Sequence, residues 1–152
     1  MKICIRSATK SDGKDIIHLI TELALFEKLS PPDKKAQQRL LKDAFSSKPP
    51  FKILLAEVED KIVAYAFYFF TYSTFLARKT LYLEDIFVSK KYRKLGIGKL
   101  LFEKLMQIAK KEKCGRIEFI VLHWNKNAIN FYRSFKAKIM KDWLFFRIEL
   151  KT

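Results

Sequence analysis

Three short segments of this chain contain residues whose types and spacing could do chemistry. The first is a turn with two glycines, Gly96 and Gly98, which follows an apolar strand-like run and a basic stretch. Glycines let the backbone approach a ligand closely, and the start of a helix presents unpaired N–H groups that attract anions. This pattern predicts a cradle for a phosphorylated ligand, although a plain turn before a helix would have a similar sequence. It lacks the third glycine of a dinucleotide fingerprint and the Gly-Lys-Ser/Thr ending of a nucleotide P-loop.

The second segment contains two adjacent acids, Glu84 and Asp85, inside an apolar run where a core strand should carry none. Alternation along a strand predicts that they point to opposite faces. A carboxylate at a semi-buried strand position is expected to have a raised pKa, which suits it to accept a proton. The alternative is that both acids pair with lysines of a basic surface.

The third segment leads from a strand end at Leu122 into a helix that carries Tyr132. A phenol can donate a proton as a general acid, although an aromatic residue on a helix most often packs in the core. His18 and His123 lack metal-type spacing, so we predict that neither is catalytic and that there is no metal site. No Ser-His-Asp or Cys-His arrangement stands out.

The elements that must position these residues can be read from apolar periodicity. Alternation predicts seven strands, over residues 2–6, 51–58, 62–72, 80–88, 116–122, 138–140 and 143–150. Helical spacing predicts four helices. The first begins at the cap Ser11-Asp12 and the second at the cap Asp33. The third extends over 97–111, and the fourth extends over 125–134 with Asn125 as its cap. Hairpin-like and crossover connections are mixed, which predicts a single α/β domain over 1–152 with a mixed central sheet.

The composition fits one compact domain of 152 residues, with 49% hydrophobic residues. No apolar run is long enough for a membrane span, and none near the first residues follows a basic segment as that of a signal peptide would, so we expect a cytoplasmic protein with no membrane partner. Cys4 and Cys114 have no metal-type spacing and are interpreted as reduced core residues. The net charge of +15 brings a nucleic-acid partner into consideration. The lysines are scattered through every element, which favours a solvated basic surface and no nucleic acid.

Together these segments resemble the GCN5-related N-acetyltransferase (GNAT) superfamily, and within it the spermidine/spermine N1-acetyltransferase (diamine acetyltransferase) branch. The glycine turn is similar to the Arg/Gln-x-x-Gly-x-Gly/Ala signature for coenzyme A. The resemblance extends over nearly the whole chain. It is carried by residues 5–9, 22–27, 70–75, 82–88 and 130–132.

The resemblance implies a largely antiparallel sheet of about seven strands flanked by about four helices. It also implies acetyl-CoA-dependent transfer of an acetyl group to a primary amine of a small polyamine, diamine or lysine-like substrate. Two alternatives stay open: a protein lysine or N-terminal acetyltransferase of the same fold, and a non-catalytic basic binding module. Retention of Tyr132 and Glu84 argues against the module. The strand over 62–72 is apolar on both faces, so we expect it to be central in the sheet. The aromatic content, this strand and the branch resemblance together lead us to expect a homodimer.

The resemblance also implies the roles of individual residues. Tyr132 protonates the leaving thiolate, and Glu84 takes the proton of the substrate ammonium. The residues expected to bind coenzyme A are Ile86, Phe87, Val88, Arg93, Lys94, Leu95, Gly96, Ile97, Gly98, Lys99, Asn125, Lys126, Asn127 and Ala128. The residues expected to border the amine are Phe26, Glu27, Glu84, Asp85, Glu118, Phe119 and Ile120. Lys136 stands where the family usually has glycine, which predicts a strained helix end.

Overall fold

A computed structural model describes all residues from 1 to 152. They form two compact units, Met1–Ile120 and Val121–Thr152, which are described separately. None of the helices combines the length and the apolar character that crossing a bilayer requires.

The first unit is an α/β fold built on one five-stranded sheet. Its elements, in chain order, are β1 (Ile3–Ser7), α1 (Gly13–Phe26), α2 (Lys34–Ala44), β2 (Lys52–Val58), β3 (Lys61–Ser73), β4 (Arg78–Val88), α3 (Ile97–Lys111) and β5 (Arg116–Phe119). The strands are ordered β1-β2-β3-β4-β5 across the sheet, and all neighbours are antiparallel except the parallel pair of β4 and β5. Between those two strands α3 supplies the long crossover that a parallel pair requires. The mixed, largely antiparallel sheet is confirmed.

The hydrophobic core of this unit joins α1 to the central strands. Ile16 and Leu19 are buried in one cluster with Leu55 of β2 and Tyr65 of β3. On α3, Ile97, Leu101, Leu105 and Ala109 are buried at a spacing of four, which keeps them on one face of the helix. Residues 63–68 of β3 are buried, and the strand lies in the middle of the sheet between β2 and β4, as its apolar character on both faces predicts.

Arg6 connects β1 to the start of α1 and to β2. Its guanidinium donates to both carboxylate oxygens of Asp12, at 2.8 and 2.9 Å, and its Nε donates to Glu57 Oε1 at 2.9 Å. Asp12 is buried and also accepts from the backbone N–H of Thr9 at 2.7 Å. The hydrogen bond from Arg6 holds the pKa of Asp12 well below its usual range. Asp12 therefore precedes α1 as predicted, but its side chain secures β1 instead of capping the helix.

Neither cysteine is in a disulfide, but the prediction that both are core residues is wrong. Cys4 is exposed because the strand alternates at this point, and the residues on either side of it, Ile3 and Ile5, are the half-buried ones. Cys114 lies just after α3 and is half-buried.

The second unit contains one helix, α4 (Lys126–Ser134). Asn125 caps it as predicted, since its side-chain oxygen accepts from the N–H of Ala128 at 3.2 Å. After the helix, Lys136 adopts the left-handed conformation with φ of 63°, and the N–H of Ala137 donates to the carbonyl of Tyr132 at 3.2 Å. The expected strained residue at the helix end is confirmed.

The predicted strands over 138–140 and 143–150 are wrong. Residues 135–152 contain no helix or strand, so the sheet has five strands and not about seven, while the number of α-helices is four as predicted. A period of two indicates extended chain, but a strand exists only where a neighbour supplies its hydrogen bonds, and no neighbour pairs here. The apolar side chains of this segment are exposed, among them Trp143, Leu144, Phe145, Phe146, Ile148 and Leu150.

Candidate active site

A β-bulge between β3 and β4 brings the two adjacent acids to one place. Phe67 of β3 lies opposite Asp85. The next residue of β3 lies opposite Leu83, so Glu84 has no partner residue in the ladder. Both Glu84 and Asp85 line a single cavity of about 540 Å³. The prediction that they point to opposite faces is wrong, because a bulge interrupts the alternation and redirects a side chain.

Asp85 is the more buried of these two acids, and its surroundings favour the neutral form. The hydroxyl of Tyr65, which is fully buried, donates to Asp85 Oδ2 at 3.2 Å. Burial raises the pKa of Asp85 to about 6, and the negative charge of Glu84 adds to the effect. Glu84 itself is exposed to solvent. The raised pKa that the sequence suggests for a strand carboxylate therefore belongs to Asp85.

Glu27 is the third acid of this group and follows the last residue of α1. It is half-buried, and this burial raises its pKa. The charge of Glu84 raises that pKa further, which requires the two carboxylates to be near each other. Glu27, Glu84 and Asp85 thus form a local negative site, here called the acidic group, inside a protein of net charge +15.

Next to the acidic group, β4 has an open edge. Its parallel pairing with β5 ends at Leu83 opposite Phe119, although β4 continues to Val88. On its other side β4 remains paired to β3 as far as Val88 opposite Ala64. The backbone groups of residues 84–88 that face away from β3 therefore have no strand partner in this unit. Ile86 and Val88, the residues expected to contact the pantetheine arm, lie on this edge.

Arg93 contacts the end of β4 through a hydrogen bond and lies over two aromatic rings. Its Nε donates to the carbonyl of Val88 at 2.9 Å. The guanidinium also lies over the ring of Phe26, 5.1 Å from its centroid, and over the ring of Phe87, 5.2 Å from its centroid. One side chain thus contacts a residue expected to border the amine and two residues expected to bind coenzyme A. Pyrophosphate binding by Arg93 stays a prediction.

The glycine turn has the geometry that an anion cradle needs. Gly96 has a left-handed φ of 80° and is the residue before α3, whose first turn has no capping side chain. A Cβ built on Gly96 would meet no atom of the protein within 4 Å, so open space lies above this backbone. Lys94 is also left-handed, with φ of 63°. Lys94 and Lys99 are exposed, and Lys99 is 3.9 Å from Glu103. These features suit the pyrophosphate of coenzyme A, because they combine free N–H groups, nearby cations and space for the ligand.

The remaining predicted residues of the first unit lie on or just after β5. Glu118 is opposite Tyr82 of β4 and is held by Arg116 at 2.6 Å. Its charge, together with those of Glu84 and Asp85, contributes to a raised pKa of Tyr82, for which burial is the main cause. Phe119 contacts the ring of Phe102 edge to face, and Ile120 is exposed.

The residues predicted in the second unit are arranged around α4. Asn125 caps the helix, and the N–H of Ala128 donates to its side chain. Lys126 and Asn127 are exposed in the first turn. Tyr132 is buried, and its ring lies 5.2 Å from that of Phe131.

Sequence reasoning missed the bulge, the hydrogen bond from Tyr65 and the apolar walls of the cavity. Only the bulge left a signal, namely the two consecutive acids in an apolar strand. The walls come from residues far apart in sequence, and no local pattern marks them.

Known proteins match this chain over most of its length. The acetyltransferase (GNAT) family profile matches residues 17–136. The thialysine N-epsilon-acetyltransferase of Mus musculus is 39% identical over 156 residues, covering 95% of this chain and 91% of the relative. The L-ornithine N5-acetyltransferase of Arabidopsis thaliana is 31% identical, covering 95% of this chain and 83% of the relative. A solved structure described as a possible acetyltransferase from Clostridium difficile 630 superposes with a TM-score of 0.86 and 25% identity, covering 100% of both chains.

Proposed function

This chain belongs to the acetyltransferase (GNAT) family and uses acetyl-CoA as its acetyl donor, and we propose that it acetylates the primary amine of a small polyamine, diamine or lysine-like molecule. The observation that carries the acceptor class is the bulge that gathers Glu84 and Asp85 in one cavity, with Glu27 close by. Clustered carboxylates favour an ammonium ion. Relatives named for thialysine and for ornithine support an amine of this kind.

On the donor side, acetyl-CoA supplies an acetyl group activated as a thioester. The N–H groups of the first turn of α3 and the exposed lysines of the glycine turn hold the pyrophosphate. The open edge of β4 offers the backbone of Ile86 and Val88 to the pantetheine arm. Asn125, Lys126, Asn127 and Ala128 are proposed as further contacts to the donor.

On the acceptor side, the amine must lose a proton before its nitrogen can attack, because a primary amine is mostly protonated at neutral pH. Glu84 accepts this proton, directly or through water. The nitrogen then bonds to the acetyl carbon, the carbon–sulfur bond breaks, and Tyr132 gives a proton to the departing sulfur. The second proton that the nitrogen loses as the amide forms returns to the Tyr132 phenolate through solvent. Asp85 and Glu27 hold the ammonium before the reaction. Phe26, Glu118, Phe119 and Ile120 are proposed to border it.

An acetyl-CoA turnover screen tests this proposal. The acceptors are spermidine, spermine, short diamines, lysine analogues and a lysine-containing peptide, and free thiol release is measured alongside product mass. We expect the small amines to be acetylated with a higher kcat/KM than the peptide. A peptide that reacts faster than every small amine would contradict the proposed acceptor and favour a protein lysine.

We also propose that the protein is a cytoplasmic homodimer without nucleic-acid or membrane partners. The exposed apolar side chains over 139–150 support a dimer, because a monomer rarely leaves such a patch in water. Light scattering at micromolar concentration should give about twice the 18.0 kDa chain mass. A monomer mass would overturn this assignment, and retention on a DNA column at physiological salt would overturn the absence of nucleic acid.

A further inference from the structure

Tyr65 carries a polar group into an otherwise apolar part of the core. Its side chain is fully buried, and in the sheet it is paired with Leu55 of β2 and with Phe87 of β4. The other buried residues of its cluster are all apolar, namely Ile16, Leu19, Ile53, Leu55, Phe67 and Phe87. A phenylalanine would fill the same space, so packing alone does not account for the hydroxyl. A tyrosine hydroxyl that is buried usually has a hydrogen-bond partner, and this partner indicates its role.

The partner of the Tyr65 hydroxyl is an acid that lines the acceptor cavity. The hydroxyl donates to Asp85 Oδ2 at 3.2 Å. The other carboxylate oxygen of Asp85, Oδ1, accepts from no group of the chain. Asp85 lines the cavity, whereas Tyr65 does not. The hydrogen bond therefore engages one oxygen of Asp85 and leaves the other for a donor that enters the cavity.

The charges around Asp85 oppose its ionisation, and the hydrogen bond from Tyr65 favours it. Burial is the largest cause of the raised pKa of Asp85, and the charges of Glu84 beside it on β4 and of Glu27 after α1 raise this pKa further. The hydrogen bond from Tyr65 lowers it. Tyr65 remains a donor, because burial and the charge of Asp85 hold its own pKa well above the ordinary value. Tyr82 of β4 is also near these acids, and burial followed by the charge of Glu84 raises its pKa.

We propose that Tyr65 is a positioning residue for the acceptor amine: its hydroxyl holds Oδ2 of Asp85, favours the charged carboxylate and leaves Oδ1 to accept from the substrate ammonium. This inference rests on the proposed small-amine function and adds to it a residue outside the cavity lining. Tyr65 does not contact the substrate, because its side chain is fully buried. Its effect applies to any ammonium that Asp85 binds, whether in a polyamine, a diamine or a lysine-like acceptor.

Tyr65→Phe tests the inference, since it removes only the hydroxyl. The pKa of Asp85 is about 6, so about half of this carboxyl is charged at pH 6. If the pKa rises by about one unit without the hydrogen bond, about one tenth stays charged at that pH. With spermidine and with lysine as acceptors, kcat/KM should therefore fall by about fivefold at pH 6 and by less than about twofold at pH 9, relative to the natural sequence. The KM for acetyl-CoA should not change. A loss by the same factor at both pH values would indicate a structural defect only and would overturn the inference.

Tyr68→Phe is the matched control, because Tyr68 is also buried on β3 and loses the same atom. Burial and then the charge of Glu112 raise its pKa, and Glu112 is outside the acidic group. Any loss of kcat/KM in this variant should be the same at pH 6 and at pH 9. In the Asp85→Asn background, Tyr65→Phe should cause no further pH-dependent loss, because the carboxyl on which it acts is already absent. A pH-dependent loss in the control, or an undiminished one in the Asp85→Asn background, would overturn the inference.

Carbon-13 NMR titration of the Asp85 carboxyl, assigned with Asp85→Asn, measures the same effect without turnover. The midpoint in Tyr65→Phe should lie about one pH unit above that of the natural sequence. If Tyr65→Phe does not fold by circular dichroism, 3-fluorotyrosine at position 65 replaces it. This phenol is more acidic and a stronger donor, so it should lower the midpoint. An unchanged midpoint, while small amines are acetylated, would overturn the inference and leave the proposed function intact. No product with any amine from the natural sequence would overturn both.

Discussion

The proposed donor site and the proposed acceptor site of this protein are built in different ways. The cradle at Gly96 is exposed and basic, and it depends on one left-handed backbone conformation and a helix start. The cavity at Asp85 is acidic and partly buried, and its walls are side chains from α1, α2, β3, β4 and the segment before β2. Binding at the backbone site depends on one dihedral angle, so a single substitution can abolish it. Binding in the side-chain cavity is the sum of several contacts, so each substitution removes only part of the affinity. The predictions below use this difference.

The largest effect should come from Gly96→Val. A β-branched residue is a clear outlier at a φ of 80°, and its side chain would occupy the open space above the turn. We expect the KM for acetyl-CoA, from initial rates, to rise by about 100-fold or more, or binding to be lost. Calorimetry with coenzyme A measures the affinity directly. Thermal melting controls for folding. Unchanged affinity in a folded variant would mean that the pyrophosphate binds elsewhere.

Tyr132→Phe should lower kcat by roughly 100-fold with little change in either KM, because only the ionisable hydroxyl is removed. Tyr72→Phe is the matched control, since Tyr72 is exposed on β3 and has no proposed role. Full kcat in the Tyr132 variant would exclude this hydroxyl as the acid.

Glu84→Gln should lower kcat by about 10- to 100-fold at neutral pH, as expected when a proton acceptor is lost. The loss should shrink at high pH, where the amine deprotonates without help. Assays of kcat between pH 6 and pH 10 measure how far the variant recovers. A loss that is constant across this range would show that Glu84 does not act on the proton.

Asp85→Asn should raise the amine KM by about tenfold and flatten the pH profile of kcat/KM below neutrality. The free carboxyl has a pKa of about 6, so it is charged above this pH and loses its attraction for ammonium as the pH falls through 6. The natural sequence should therefore lose kcat/KM for the amine between pH 7 and pH 5. An identical acid limb in the variant would assign that titration to another group.

The carboxyl of Asp85 also predicts that the free energy of unfolding depends on pH. Because burial raises the pKa of Asp85, the folded state favours the neutral carboxyl. The contribution of this neutral carboxyl to the free energy of unfolding is present below the ordinary pKa near 4 and is lost as the pH rises through about 6. Asp85→Asn should thus gain on the order of 2–3 kcal/mol relative to the natural sequence between pH 4 and pH 7. Denaturant titrations at the two pH values measure the gain, and a constant difference would contradict the raised pKa.

The smallest effect should come from Lys136→Gly. Lys136 is left-handed at the end of α4, where glycine avoids the Cβ penalty of about 1 kcal/mol. Urea unfolding should show a gain of up to about 1 kcal/mol, and kcat should not change. Lys138→Gly, outside the helix end, serves as the control and should give no gain.

The two sides also differ in how well the sequence predicts them. The bounds of α3 are those that the sequence predicts, because its apolar stripe and its glycine start are local features. The bulge at Glu84 depends on the register between β3 and β4, which packing decides. The hydrogen bond from Tyr65 to Asp85 joins residues twenty positions apart and has no local signal.

The C-terminal segment shows the same limit. Alternating apolar residues over 143–150 predict a strand, but pairing depends on a partner that alternation does not identify. By contrast, the left-handed Lys136 could be predicted, because the end of a helix constrains the next residues locally.

The division between a backbone donor site and a carboxylate acceptor site can be tested by initial rates with both substrates varied. Gly96→Ala should raise the KM for acetyl-CoA by about tenfold while the amine KM stays within about twofold, since only the backbone conformation is strained. Asp85→Asn should do the reverse, because it removes one charge from the acceptor cavity. The account would be contradicted if both substitutions raised the same KM, or if Asp85→Asn changed the KM for acetyl-CoA alone.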